Sequence, residues 1–211
     1  MSSSKKKVVT FLLVLEEELP DVNFSLKNLR GSSKIDVVAR NILASFPSFG
    51  NFEVNYIVLF TKNNPAALIV TDLAKREKSY DEIEIASLIK TSLQDSYNQN
   101  AKTNSSEDLS LQFFNWRHLK EVRSFFTQIK NTNEHVFFLH ENGQPFNDIV
   151  QDIQIANSLC FIFGGRHDIS EEMEKAVLKI TSAQVSLGKR SYLASTCIVF
   201  VLFELEKLEI N

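Results

Sequence analysis

Three short apolar runs in the last third of the chain each lead into a polar loop that carries glycine. Residues 137–139 precede Gly143, residues 161–163 precede Gly164 and Gly165, and Gly188 ends a third run. Only six of the 211 residues are glycine, so this concentration is typical of backbone that turns tightly or closely approaches a ligand. We therefore predict one ligand site built from loops at the ends of strands.

The rest of the chain alternates between strand-like and helix-like patterns. Strands are predicted at residues 8–14, 54–60, 67–70, 135–139 and 159–163. Helices are predicted at residues 35–43 and from 81 to about 93, and another helix should follow an N-terminal cap at Ser170. A further helix is predicted from the spacing of Trp116, Leu119, Val122, Phe126 and Ile129. This alternation predicts an α/β fold with a largely parallel sheet.

The last element is apolar on every side. Residues 198–203 show no periodicity that separates a strand from a helix, and length favours a helix over 194–208. One side of that helix carries Cys197, Ile198, Val201, Leu202 and Leu205. Because a helix that is apolar all round needs a partner on its other face, a second covering surface is expected.

Composition limits the classes of function. The length fits a single domain spanning 1–211, with residues 1–7 flexible and the polar stretch 97–108 as a linker or mobile loop. The apolar run 197–203 is too short to cross a membrane, and the absence of a signal pattern predicts a cytoplasmic protein. Two cysteines in apolar stretches indicate reduced core thiols, and four histidines without ligand spacing predict no metal.

Asp36 and Arg40 stand four residues apart on the predicted helix 35–43, opposite its apolar stripe. One interpretation is an ordinary surface ion pair, worth about 0.3–0.5 kcal/mol. The other is nucleic-acid contact, because Lys27, Arg30 and Lys34 add further positive charge to a chain with a net charge of −3. Such a local basic stretch is an electrostatic footprint for phosphate.

Three segments resemble the archaeal tRNA pseudouridine N1-methyltransferases (the TrmY family) of the SPOUT superfamily. They are residues 24–40, residues 139–143, and residues 163–168 continuing into 185–197. The resemblance runs in order from about residue 8 to 208, while residues 62–133 match by length and pattern alone. It implies a SPOUT α/β fold with a mostly parallel sheet, a deep C-terminal trefoil knot and a homodimer.

The resemblance also implies an S-adenosylmethionine (SAM)-dependent enzyme that methylates N1 of a pseudouridine in the T-loop of tRNA, without metal. The implied cofactor-binding residues are Leu139, Gly164, Gly165, Ser186, Leu187, Gly188, Tyr192, Leu193 and Cys197. Taken singly, Leu139, Leu193 and Cys197 fit a core equally well, and Gly188 fits an ordinary turn. Taken together, in the order of the family, they favour the pocket.

By the same resemblance Arg40 holds an RNA phosphate, and Asp36 orients the base or accepts its N1 proton. Alternative polar groups near the methyl group are His140, Glu141, Arg166, His167 and Asp168. Two other functions stay open: methylation of a pseudouridine in ribosomal RNA, and a non-catalytic, knotted RNA-binding scaffold. The compact length without large insertions favours tRNA.

Overall fold

The computed structural model describes residues 6–31, 34–46, 52–71, 80–97, 114–165 and 169–210. Within them the strands are β1 (Lys7–Leu15), β2 (Phe52–Phe60), β3 (Ala66–Val70), β4 (Phe114–His118), β5 (His135–Pro145), β6 (Ser158–Gly164) and β7 (Ala183–Ser186). The helices are α1 (Ile35–Ala44), α2 (Glu82–Tyr97), α3 (Val122–Thr132), α4 (Val150–Ile155), α5 (Glu171–Leu178) and α6 (Ala194–Ile210). All five predicted strands are present, and the strand-like run before Gly188 is β7, whereas β4 and α4 were not predicted.

The strands form one sheet in the order β4-β3-β2-β1-β6-β5-β7. The five strands from β2 to β7 pair in parallel, and β3 and β4 are added antiparallel at one edge. The largely parallel sheet is therefore confirmed. Because the parallel strands share one direction, the loops that follow β1, β6, β5 and β7 all lie at the carboxyl ends of the strands, on the same side of the sheet.

Both faces of the sheet are covered by helices. On β1, Phe11 and Leu13 point into the larger core beneath α1, α2, α4 and α6, while Leu12 and Val14 point into a smaller core beneath α3 and α5. All four side chains are fully buried. Burial of such a side chain contributes about 1.5–3 kcal/mol, so continuous apolar runs stabilise a sheet covered on both faces.

The helix predicted from Trp116 onward is partly wrong. Trp116 lies in strand β4, and only residues from Val122 form a helix. Pairing with β3 decides the difference, since Trp116 stands opposite Leu68 and stacks on Phe60 at a ring distance of 6.0 Å. Its indole Nε1 also donates to Ser92 Oγ at 3.0 Å. A strand that is stabilised mainly by pairing with a neighbouring strand has only a weak strand pattern in its own sequence.

The final helix α6 confirms the predicted apolar element. Ile198, Val201, Leu202 and Leu205 are buried in the larger core. The opposite side exposes Val199 (55%), Phe200 (37%) and Phe203 (57%). In the described part of the chain, no helix is long and apolar enough to cross a membrane.

The helix predicted after Ser170 is confirmed together with its cap. Ser170 Oγ accepts a hydrogen bond from the backbone N–H of Met173 at 3.3 Å. The predicted linker is not tested beyond its first residue, Tyr97, which ends α2; residues 98–113 lie outside the described residues. The same holds for residues 1–5 of the predicted flexible start.

Candidate functional site

The predicted loops meet at the carboxyl ends of β6, β5 and β7, which are neighbours in the sheet. They surround a cleft, the loop cleft, that reaches the start of α6. Seven of the nine predicted cofactor-binding residues line it: Leu139, Gly164, Gly165, Leu187, Gly188, Tyr192 and Cys197. His140 and Glu141 line it too. Sequence analysis missed further lining residues, namely Phe138, Phe163, Ile169, Glu174, Val185, Arg190, Ser191 and Ala194.

The loop after β7 owes its shape to Ser186 and Gly188. Ser186 Oγ donates to the carbonyl of Gly188 at 2.8 Å and accepts from the N–H of Gly188 at 3.2 Å. Ser186 therefore supports the shape of the loop without lining the loop cleft. Gly188 has φ of +145°, and a Cβ there would lie 3.0 Å from the hydroxyl of Tyr192. The backbone conformation favours glycine, and a side chain there would also need Tyr192 to shift.

The loop after Leu139 is a bulge in β5. Leu139 and Gln144 both pair with Val185 of β7, so residues 140–143 are pushed out of the ladder. A Cβ on Gly143 would lie 2.5 Å from the backbone nitrogen of Val185, which explains why glycine stands there. The bulge brings His140 and Glu141 to the wall of the loop cleft.

The loop after β6 packs against the end of β1. A Cβ on Gly165 would lie 2.8 Å from the side chain of Leu15. Further along, Ser170 donates to Glu16 Oε1 from its hydroxyl at 2.6 Å and from its backbone N–H at 3.2 Å. The predicted polar groups Arg166, His167 and Asp168 lie outside the described residues.

A second cleft, the helix cleft, lies between α1 and the start of α6. Its α1 wall consists of Asp36, Val37, Arg40 and Asn41, with Arg30 and Lys34 from the preceding segment. Its other wall consists of Gly165, Ser191, Tyr192, Leu193, Ala194 and Ser195. Leu193, predicted to contact the cofactor, therefore faces this cleft rather than the loop cleft.

The two clefts are adjacent. Gly165, Ser191, Tyr192 and Ala194 line both of them. Packing of α1 against α6 brings them together, although residue 36 and residue 192 are far apart in the sequence. The fold thus joins the predicted cofactor-binding loops to the predicted pair Asp36 and Arg40.

Arg40 is held mainly by a carboxylate that sequence analysis missed. Its Nε donates to Glu82 Oε1 of α2 at 3.0 Å, whereas its Nη2 lies 3.9 Å from Asp36 Oδ2. The hydrogen bond to Glu82 raises the pKa of Arg40, so the guanidinium stays charged. Glu82 and Arg40 are 42 residues apart, and the only signal in the sequence was an acidic first turn.

Cys197 lines the loop cleft as a thiol rather than as a thiolate. Burial raises the pKa of Cys197 to about 11. Cys160, the other cysteine, is fully buried in β6, and burial raises its pKa far above the usual range. Both thiols are free, as the sequence predicted. Cys197 therefore contributes a weakly polar, polarisable surface to the cleft at neutral pH.

Comparison with known proteins identifies the family of the chain. The chain belongs to the family of SAM-dependent RNA methyltransferases, whose family model matches residues 8–210. A Methanococcus maripaludis tRNA (pseudouridine(54)-N(1))-methyltransferase is 27% identical over 204 residues, covering 94% of this chain and 98% of the relative. The Thermococcus gammatolerans protein of that name is 25% identical over 205 residues, covering 94% and 97%.

The fold resembles that of a solved crystal structure. The crystal structure of Archaeoglobus fulgidus Nep1 bound to S-adenosylhomocysteine superposes with a TM-score of 0.55 at 14% identity, covering 97% of this chain and all of that one. The likeness confirms the predicted α/β architecture with its mostly parallel sheet.

Proposed function

We propose that the chain is a cytoplasmic enzyme that transfers the methyl group of SAM to N1 of a pseudouridine in the T-loop of tRNA. The observation that carries this proposal is that the loop cleft and the helix cleft lie side by side and share four lining residues. A methyl donor in the first cleft and a nucleoside in the second would meet at that junction. The names of the relatives support the same substrate.

The loop cleft fits SAM in its chemistry. Leu139, Val185 and Leu187 offer an apolar wall for the adenine ring. Glu174 and Arg190 bring one charge of each sign, which suits an amino acid tail carrying an ammonium and a carboxylate. Gly188 would let the backbone approach the ligand closely. No step of the proposed reaction requires a metal.

When bound, SAM supplies an electrophilic methyl group whose bond to sulfur breaks as the bond to N1 forms, with the electron pair remaining on sulfur. The residues of the chain align the base with that methyl group. Asp36, whose side chain is 16% exposed, lines the helix cleft and would orient the base or accept the N1 proton. Arg40, held by Glu82, would bind a phosphate beside the target.

We infer further that the chain contains the C-terminal trefoil knot and forms the homodimer implied by its resemblance. The exposed face of α6 supports the dimer, because Val199, Phe200 and Phe203 lie side by side on it. A dimer would cover this face.

The test is methyl transfer from labelled SAM to two tRNA transcripts that differ at one T-loop position. The transcript with pseudouridine should be methylated, and the one with uridine should not, because N1 of uridine is bonded to the ribose. Asp36→Ala should reduce kcat more than the affinity for SAM. Arg40→Ala should raise KM for tRNA and reduce its salt dependence.

Two outcomes would redirect the proposal. Transfer to pseudouridine in small-subunit ribosomal RNA but not in tRNA would favour the ribosomal substrate. Binding of both SAM and RNA without transfer would favour a non-catalytic scaffold.

A further inference from the structure

Asn41 is a buried polar residue in the wall of the helix cleft. It lines this cleft together with Asp36, Val37 and Arg40, and it belongs to the buried residues of α1. Only 1% of its surface is exposed, so it forms the floor of the cleft rather than its rim. A polar side chain at the floor of a ligand cleft is positioned to determine which ligand is accepted.

Tyr56 fixes the orientation of this amide. Asn41 Nδ2 donates to the hydroxyl of Tyr56 at 3.2 Å, and this is the hydrogen bond that the Asn41 side chain makes among the described residues. Tyr56 is fully buried in β2, and burial raises its pKa, so the hydroxyl stays protonated. With one N–H of Nδ2 engaged by Tyr56, Oδ1 is the acceptor that Asn41 can offer to a ligand in the cleft.

We propose that Asn41 determines base specificity by accepting a hydrogen bond from the N3–H group of the target base. The proposal rests on the proposed function, in which that base is a pseudouridine. Pseudouridine carries two ring N–H groups that flank one carbonyl. If N1 faces the junction of the clefts, N3–H is the second donor that needs an acceptor. A cytosine-type base has an acceptor at this position and would leave Oδ1 opposite a lone pair.

The division of roles follows from the helix. Asp36 and Asn41 are five residues apart on α1, a rise of about 7.5 Å, and both line the cleft. Asp36 is the more accessible of the two, with 16% of its side chain exposed, whereas Asn41 is 1% exposed and lies deeper. An acceptor held in a buried site rejects a ligand that lacks the matching donor, because the acceptor would otherwise stay unpaired.

The experiment compares T-arm stem–loops that carry either pseudouridine or N3-methylpseudouridine at the target position. The wild-type chain should methylate the second RNA at least about 100-fold less efficiently in kcat/KM. Asn41→Ala should lose efficiency on the first RNA and discriminate less than about 10-fold between the two. Asn41→Asp, which keeps an acceptor, should retain the discrimination.

A second pair of variants serves as the control for effects on folding. Tyr56→Phe removes the anchor but leaves Asn41, whereas Tyr56→Phe with Asn41→Ala removes both partners and leaves no buried hydroxyl unpaired. The double variant should lose discrimination, the single variant should keep part of it, and both should bind SAM like the wild type in calorimetry. A merely structural role would lower the melting temperature in both and leave discrimination unchanged.

The role of Asn41 would be overturned if the folded Asn41→Ala chain, or the double variant, discriminated between the two RNAs as strongly as the wild type. That outcome would leave the proposed function intact. Equal methylation of the two RNAs by the wild-type chain would overturn the role of Asn41 as well. A wild-type chain that methylates neither RNA overturns the proposed function itself, and the specificity role with it.

Discussion

At the scale of single residues, the pair Arg40 and Glu82 shows how a surface contact can orient without stabilising. Both side chains are substantially exposed, 39% and 42%. Solvent screening limits such a pair to about 0–1 kcal/mol of stability. Its geometric effect is larger, since a bond to Nε fixes the plane of the guanidinium and leaves both Nη groups for other partners.

Replacing Glu82 by alanine should therefore affect RNA affinity more than folding. We expect KM for tRNA to rise about 5-fold, equivalent to about 1 kcal/mol, with kcat nearly unchanged. Glu82→Gln, which keeps an acceptor for Arg40 Nε, should have a KM for tRNA between those of the wild type and the alanine variant. Steady-state kinetics and thermal melting check this, and a loss of melting temperature with unchanged KM would contradict it.

Gly188 tests the loop cleft. Its φ of +145° is costly for any other residue, and a side chain would press on Tyr192. Gly188→Val should weaken the binding of S-adenosylhomocysteine about 10-fold or more, because strain of this kind costs about 1–3 kcal/mol. Gly31→Ala, outside the loop cleft and without positive φ, is the matched control and should bind normally. Isothermal titration of both variants decides the matter.

Cys197 gives a prediction about pH. Because burial raises its pKa to about 11, little thiolate exists at pH 7, and alkylation by iodoacetamide should be slow. The rate should increase as the pH approaches 11, and SAM should protect the thiol because Cys197 lines the loop cleft. Mass spectrometry of a Cys160→Ser chain isolates this site. Rapid labelling at pH 7, or no protection, would be inconsistent with the geometry.

At the scale of elements, α6 has two apolar sides with different roles. Val201 is fully buried in the core of its own chain, whereas Phe203 is 57% exposed. A low overall amphipathicity thus conceals one face that folds the chain and one that stays available. The sequence predicted the need for a second covering surface but not which residues would face it.

Aspartate substitutions should separate the two sides of α6. Val201→Asp places an unpaired charge in the core and should cost more than about 4 kcal/mol of unfolding free energy. In the isolated subunit Phe203→Asp should change the same quantity by no more than about 0.5 kcal/mol. Urea unfolding, followed at several protein concentrations, measures both. Equal destabilisation by the two variants at every concentration would refute the distinction.

At the scale of the whole molecule, the proposed homodimer is the natural cover for the exposed face of α6. Val199, Phe200 and Phe203 form a contiguous apolar surface, and Phe146 contacts Phe200 edge-on at a ring distance of 6.4 Å. Surfaces of this kind on a folded chain mark association sites. An isologous pair of α6 helices would bury it from both sides.

Light scattering at micromolar concentration should accordingly return twice the 24.1 kDa of one chain. Phe203→Asp should shift the population toward the monomer while leaving the far-UV circular dichroism unchanged. A wild-type chain that is monomeric under these conditions would remove the support for the dimer.

Much of the fold was accessible from local patterns. The continuous apolar runs that became β1, β5 and β6 have to be covered on both sides, and the stripe of α1 has to face a core. Glycine at positions 143 and 188 indicated close backbone approaches, which is where they occur. Hydrophobic periodicity and the special conformations of glycine are properties of short segments, so the sequence alone determined them.

What joins distant segments was decided only by the tertiary structure. Arg40 and Glu82 are 42 residues apart, and Asn41 and Tyr56 are 15 apart; no periodicity relates them. Trp116 took a strand conformation because β3 offered an edge. The adjacency of the two clefts depends on how α1 packs against α6. Such contacts depend on the order of strands in the sheet, and a chain read in one dimension carries no local signal for that order.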